Sequence, residues 1–207
     1  MKLLFLSIVA VLFGTITCKN RCYKEKLDKC NQELIKSVPE TDTSFCGFQK
    51  KSLHCLIMPA IECKLRFKSK AEKLNSVMEI VCDKGSKLHN ELYRHYPCIM
   101  NGLMEKKCLK IVSDKLKDDI SPKTVLKAQK ESCKTLEKRV KCQLEEIKHG
   151  CGKNVQAFFR TVFDPLTEVQ RGLCEEIILP EIEDASPSKR STDAILPDLM
   201  KFMEFLF

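Results

Sequence analysis

The spacing of the cysteines constrains this chain more than any other feature. The stretch CKTLEKRVKCQLEEIKHGC places Cys133, Cys142 and Cys151 with eight residues between neighbours. A zinc site needs converging ligands, usually short Cys-x2–4-Cys pairs joined by further Cys or His. Apart from Cys18 and Cys22, no two cysteines are that close, and there is no Cys-x-x-Cys redox pair. Nine positions along a helix advance about 13.5 Å and turn about 180°, whereas a disulfide needs Cα atoms within about 7 Å. On one continuous helix Cys133 and Cys142 therefore cannot pair, and each must reach a different neighbouring element. Pro59 makes the same exclusion less clear for Cys55 and Cys63. These cysteines read as staples between helices, with no metal and no cofactor.

Residues 1–18 read as a secretory signal peptide: Lys2, an apolar run from Leu3 to Phe13, then small or polar residues, too short to span a membrane. Cleavage after Thr17 leaves thirteen cysteines and cleavage after Cys18 leaves twelve. An oxidising compartment pairs thiols, so the even count favours Cys18 and six disulfides, although an odd cysteine could bridge two chains. No later segment has the length and apolarity of a membrane span. The formal charge is +8. It is spread as Lys alternating with Glu, which reads as a solvated surface and not as a nucleic-acid footprint.

Sparse glycine and proline, and a chain dominated by Lys, Glu and Leu, predict an all-α fold. On a helical wheel Leu126, Cys133, Leu136, Val140, Leu144 and Ile147 share an arc of about 80°. Ser121-Pro122 supplies a start signal for that helix and Gly150 a stop. Phe67, Ala71, Leu74, Val77, Met78 and Val81 share an arc with Cys63, and a third face runs from Cys151 to Cys174, with Asp164-Pro165 as a kink or restart. The intervals between Cys22, Cys30, Cys46, Cys55, Cys63 and Cys82 are 7, 15, 8, 7 and 18 residues. Those between Cys98, Cys108, Cys133, Cys142, Cys151 and Cys174 are 9, 24, 8, 8 and 22. The expected architecture is a disulfide-stapled helical bundle of two related six-cysteine modules, 19–95 and 96–179, packed together, with the pairing within them open. Residues 180–207 form a Pro-, Ser- and charge-rich linker and a short apolar tail.

The search for chemistry yields little. His54, His89, His95 and His149 sit beside no activated nucleophile, and no zinc-protease, nucleophile-elbow or phosphate-loop motif occurs. Asp164 reads as a cap. The expectation is a non-enzyme. Val155, Phe158, Phe159, Val162, Phe163 and Leu166 form the best candidate face for an apolar ligand, with core packing as the plainer reading. Lys189-Arg190 in the linker is a candidate dibasic processing site, with docking of the tail onto the core as its alternative.

The segments FCGFQKKSLHC, LNSVMEIVCDKG, YPCIMNGLMEKKC and SCKTLEKRVKCQLEEIKHGC, within residues 45–174, resemble the insect 27 kDa haemolymph glycoprotein family. They are also similar to a broader group of secreted cysteine-rich helical domains of arthropods and nematodes. The resemblance implies a secreted extracellular protein of haemolymph or gland, and brings no catalytic residues with it. The chain has no Asn-x-Ser/Thr acceptor, and so departs from the glycoprotein name. The expected role is that of an extracellular binder or carrier whose partner is an apolar small molecule or another extracellular protein. The alternative is a venom or gland effector acting on a target protein or a membrane surface.

Overall fold

A computed structural model describes residues 19–34, 45–113 and 122–182, and all of their regular structure is helical. Residues 19–34 form α1. They are followed by α2 (Phe45–Glu62), α3 (Lys68–Val81), α4 (Lys87–Leu103), α5 (Lys106–Ser113), α6 (Pro122–Cys151) and α7 (Lys153–Leu173). The chain leaves α7 through a π turn at Cys174–Ile178 and a 3-10 turn at Leu179–Ile182. The expected all-α bundle is present. The signal segment, Cys18, the linker beyond residue 182, Lys189-Arg190 and the apolar tail lie outside the described residues.

Local chemistry sets the helix ends. Ser86 caps α4: its Oγ accepts the His89 N–H at 3.0 Å and donates to the Ile80 carbonyl at 2.6 Å. Pro122 opens α6, where its missing N–H removes one orphan donor. The stop of α6 differs from the sequence expectation. The helix runs through Gly150, and the break comes at Gly152 (φ +91°), whose N–H donates to the Lys148 carbonyl at 3.0 Å. Glycine takes this left-handed conformation without a Cβ penalty. Neither Pro59 nor Pro165 ends its helix, so α7 neither restarts nor breaks at Asp164-Pro165. The segment from Cys63 to Cys82 is not one helix. A turn at Lys64 (φ 55°) precedes Phe67, and α3 begins only at Lys68.

A single main core joins α1, α2, α3, α4, α6 and α7. At its centre α3 lies against α7: Ala71, Leu74, Met78 and Val81 are buried on one, and Phe159, Val162, Phe163, Leu166 and Val169 on the other. This is the spacing that a helix with one apolar face requires. Phe67 sits at the joint, with the Tyr23 ring edge-on at 5.8 Å and Gly172 directly against it. On the other side α4 packs on α6 so closely that Gly102 has no room for a side chain beside Ile147. There the Gln143 Nε2 donates to the Leu103 carbonyl at 3.0 Å.

All twelve cysteines between residues 22 and 174 are paired: Cys22–Cys63, Cys30–Cys55, Cys46–Cys82, Cys98–Cys151, Cys108–Cys142 and Cys133–Cys174. Counted within each set of six, the first joins the fifth, the second the fourth and the third the sixth, in both sets. None of the six bridges links the two sets. Contacts between the sets are noncovalent: the α3–α7 packing, Glu176 accepting the Arg66 N–H at 2.8 Å, and a Lys73–Glu168 ion pair at 3.9 Å. The division expected at residues 95 and 96 falls inside α4. The link between α3 and α4 runs through Cys82–Ser86, where Asp83 Oδ1 accepts the Gly85 N–H.

Candidate functional site

The residues singled out in the sequence fall into three groups. Cys133 and Cys142 do leave α6 in different directions. Cys133 joins Cys174 at the end of α7, and Cys142 joins Cys108 on α5. Cys55 and Cys63 both reach α1, at Cys30 and Cys22 respectively. With their sulfurs in disulfides, these residues offer neither a thiolate nucleophile nor a metal ligand. No group of three or more His, Cys, Asp or Glu is placed to hold a metal among the described residues.

The apolar face of α7 is core. Val155, Phe159, Val162, Phe163 and Leu166 are all buried in the main cluster, with Phe159 and Phe163 stacked at 5.0 Å, and only Phe158 is partly exposed. These five side chains pack within the protein's own hydrophobic cluster. Asp164 pairs with Arg160 one turn earlier, at 3.0 Å. The histidines are dispersed. His54 and His149 are exposed, His95 lies 3.5 Å from Glu91, and His89 Nδ1 is 2.8 Å from the Val81 carbonyl.

Buried polar groups give the interior its electrostatic character. Among the described residues the Tyr23 hydroxyl has no hydrogen-bond partner, and burial pushes its phenol well above the usual range. Arg139 is held mainly inside, where desolvation lowers its guanidinium pKa, and its Nη1 donates to Ser132 Oγ at 3.4 Å. Burial also lowers Lys24 on α1, opposed by the charge of Asp28.

The surface feature that sequence reasoning missed lies on α4. Taking Tyr93 as the origin, His89, Tyr93, Tyr96, Pro97, Met100 and Met104 fall within an arc of about 100°, adjoining the buried arc of Leu88, Leu92, Ile99 and Leu103. Tyr93 is 79% exposed, Met104 52% and Tyr96 46%. The His89 ring stacks on Tyr93 at 6.3 Å. Asn90 and Asn101 border the stripe on its polar side, and beyond them Arg94 pairs with Glu91 at 2.9 Å. The polar stretch NELYR conceals the pattern; only a wheel drawn through Met104 would have revealed it. Such a surface can hold an apolar or aromatic partner. In comparisons with protein-family models, curated proteins and solved structures, the chain matches none.

Proposed function

We propose that this chain is a secreted, non-enzymatic extracellular protein of haemolymph type that works by binding. The observation that carries the reading is the complete use of twelve cysteines as interhelical staples, a framework that forms and persists in oxidising compartments. The absence of a membrane-length apolar helix among the described residues agrees with a fluid-phase role. Expression of the full chain in a secretory cell line tests it. The expected result is protein in the medium, fully oxidised and beginning at Lys19. Retention inside the cell with free thiols would sink the reading. A hydrolase activity that survives repurification would overturn the non-enzyme assignment.

The packed α7 face weighs against carriage of an apolar small molecule at Val155–Leu166, and the outward α4 stripe favours a macromolecular or surface partner instead. This second reading is the effector alternative. Native mass spectrometry of protein purified from its source distinguishes them: a reproducible bound lipid supports carriage, and an unliganded chain supports partner binding.

A further inference from the structure

We propose that the outward edge of α6 is a docking ridge for a linear sulfated polysaccharide. From residue 127 to residue 141, five positions of this helix fall within one arc of about 80°. Lysine occupies all five: Lys127, Lys130, Lys134, Lys138 and Lys141. In the linear sequence glutamates and apolar residues separate them, and helical winding gathers them into one row. Lys127, Lys134, Lys138 and Lys141 are exposed, and Lys130 is half-buried. Among the described residues none of the five has an ion-pair partner. Glu131 and Glu137 border the row on its two sides, and Glu137 is taken up by Arg171 of α7 at 2.6 Å. Neighbours three or four positions apart stand about 5–6 Å from each other, and like charges at that spacing oppose helix formation. A helix that needed only solubility would alternate its signs, as α7 does where Arg160 pairs with Asp164 one turn on.

Shape and charge define the partner. The row runs for about 21 Å, and neither proline nor glycine interrupts α6 along it, so it is straight. It contains no apolar side chain; Leu136 and Ile147 of the same helix are buried. It therefore lacks the aromatic or aliphatic anchor of a protein hot spot, and the apolar face that an interfacial helix sinks into a bilayer. An extended polymer with closely spaced anionic groups matches it. Lysine ammonium groups hold sulfate oxygens as point charges, without the fork geometry of arginine. The choice of a sulfated polysaccharide over nucleic acid rests on the extracellular reading, whereas the binding itself does not. The ridge is separate from the α4 stripe and gives the protein a means of retention at a matrix or cell surface.

Calorimetric titration of the purified full chain with a heparin dodecasaccharide tests the proposal apart from any test of secretion. Binding should be saturable, and its affinity should fall about 600-fold per ten-fold rise in salt, the counterion release of four contacts on a flexible polyanion. A variant carrying Lys127→Gln, Lys134→Gln, Lys138→Gln and Lys141→Gln should bind at least about ten-fold more weakly. A control with the same charge loss at exposed positions elsewhere, Lys50→Gln, Lys51→Gln, Lys68→Gln and Lys84→Gln, should stay within about two-fold of the parent chain. Six intact disulfides and an unchanged helical circular dichroism spectrum report that the fold has held in both. Equal weakening in the two variants overturns the ridge, because net charge alone would then explain the binding. Absence of heparin binding also overturns it. So does a DNA duplex or unsulfated hyaluronan that binds as tightly as heparin, or binding to phosphatidylserine vesicles in place of heparin, which would assign the row to a membrane.

Discussion

At the joint between α3 and α7 the Phe67 ring occupies the space where any side chain at position 172 would sit: a Cβ built on Gly172 falls 2.3 Å from Phe67 Cβ. The two residues belong to different cysteine sets, so this contact holds the halves together. Gly172→Ala should lower stability by about 2 kcal/mol, the usual consequence of overpacking a filled core, with the denaturation midpoint as the measurement. Tyr23 beside it presents the opposite situation, a buried hydroxyl with no hydrogen-bond partner among the described residues. Tyr23→Phe removes that buried polar group and should leave stability unchanged or raise it by about 1 kcal/mol. Its pH signature has a definite sign. Burial raises the folded phenol pKa, so the stabilisation from the neutral ring is complete below the ordinary tyrosine range and is lost as pH rises beyond it. Above about pH 10 the wild-type chain should lose up to about 1.4 kcal/mol per pH unit that Tyr23→Phe retains, read from urea midpoints across the alkaline range.

Among the elements, the long helices were the legible part. The apolar arc on α6 and the face of α3 from Ala71 to Val81 could be read from periodicity, and the half-turn between Cys133 and Cys142 ruled out their pairing before any coordinates. Three things were not legible. The pairing order depends on which helices become neighbours, a tertiary fact that spacing does not encode. The stop at Gly152 competed with Gly150 two residues earlier, and two glycines so close leave the choice to packing. The face of α7 was visibly apolar, but sequence alone could not separate a pocket from a core, because both require the same residues. The staples themselves can be tested. Cys133 and Cys174 lie 41 residues apart and bind α6 to the end of α7. Replacing both with serine should cost about 4 kcal/mol by loop-closure entropy, measured as a fall in the guanidinium midpoint with the other five bridges intact.

The whole molecule combines two separate covalent frameworks with one shared apolar interior. A specific protease site introduced between Asp83 and Ser86 would cut the only backbone joining the described halves. The nicked protein should elute as a single species on gel filtration, held by the α3–α7 packing. Without any reductant it should fall into two fragments on a denaturing gel. A single band there would mean that a bridge crosses the halves. The pairing order has a further consequence for recovery after damage. Heat or denaturant that melts the common interior leaves each half tied into its own short loops, none of which spans the chain. The denatured ensemble is then confined to two pre-drawn contours, and each half keeps in its sulfur bonds a record of where its helices belong. Renaturation becomes a matter of two small shapes finding one another, with no cross-links left to sort out.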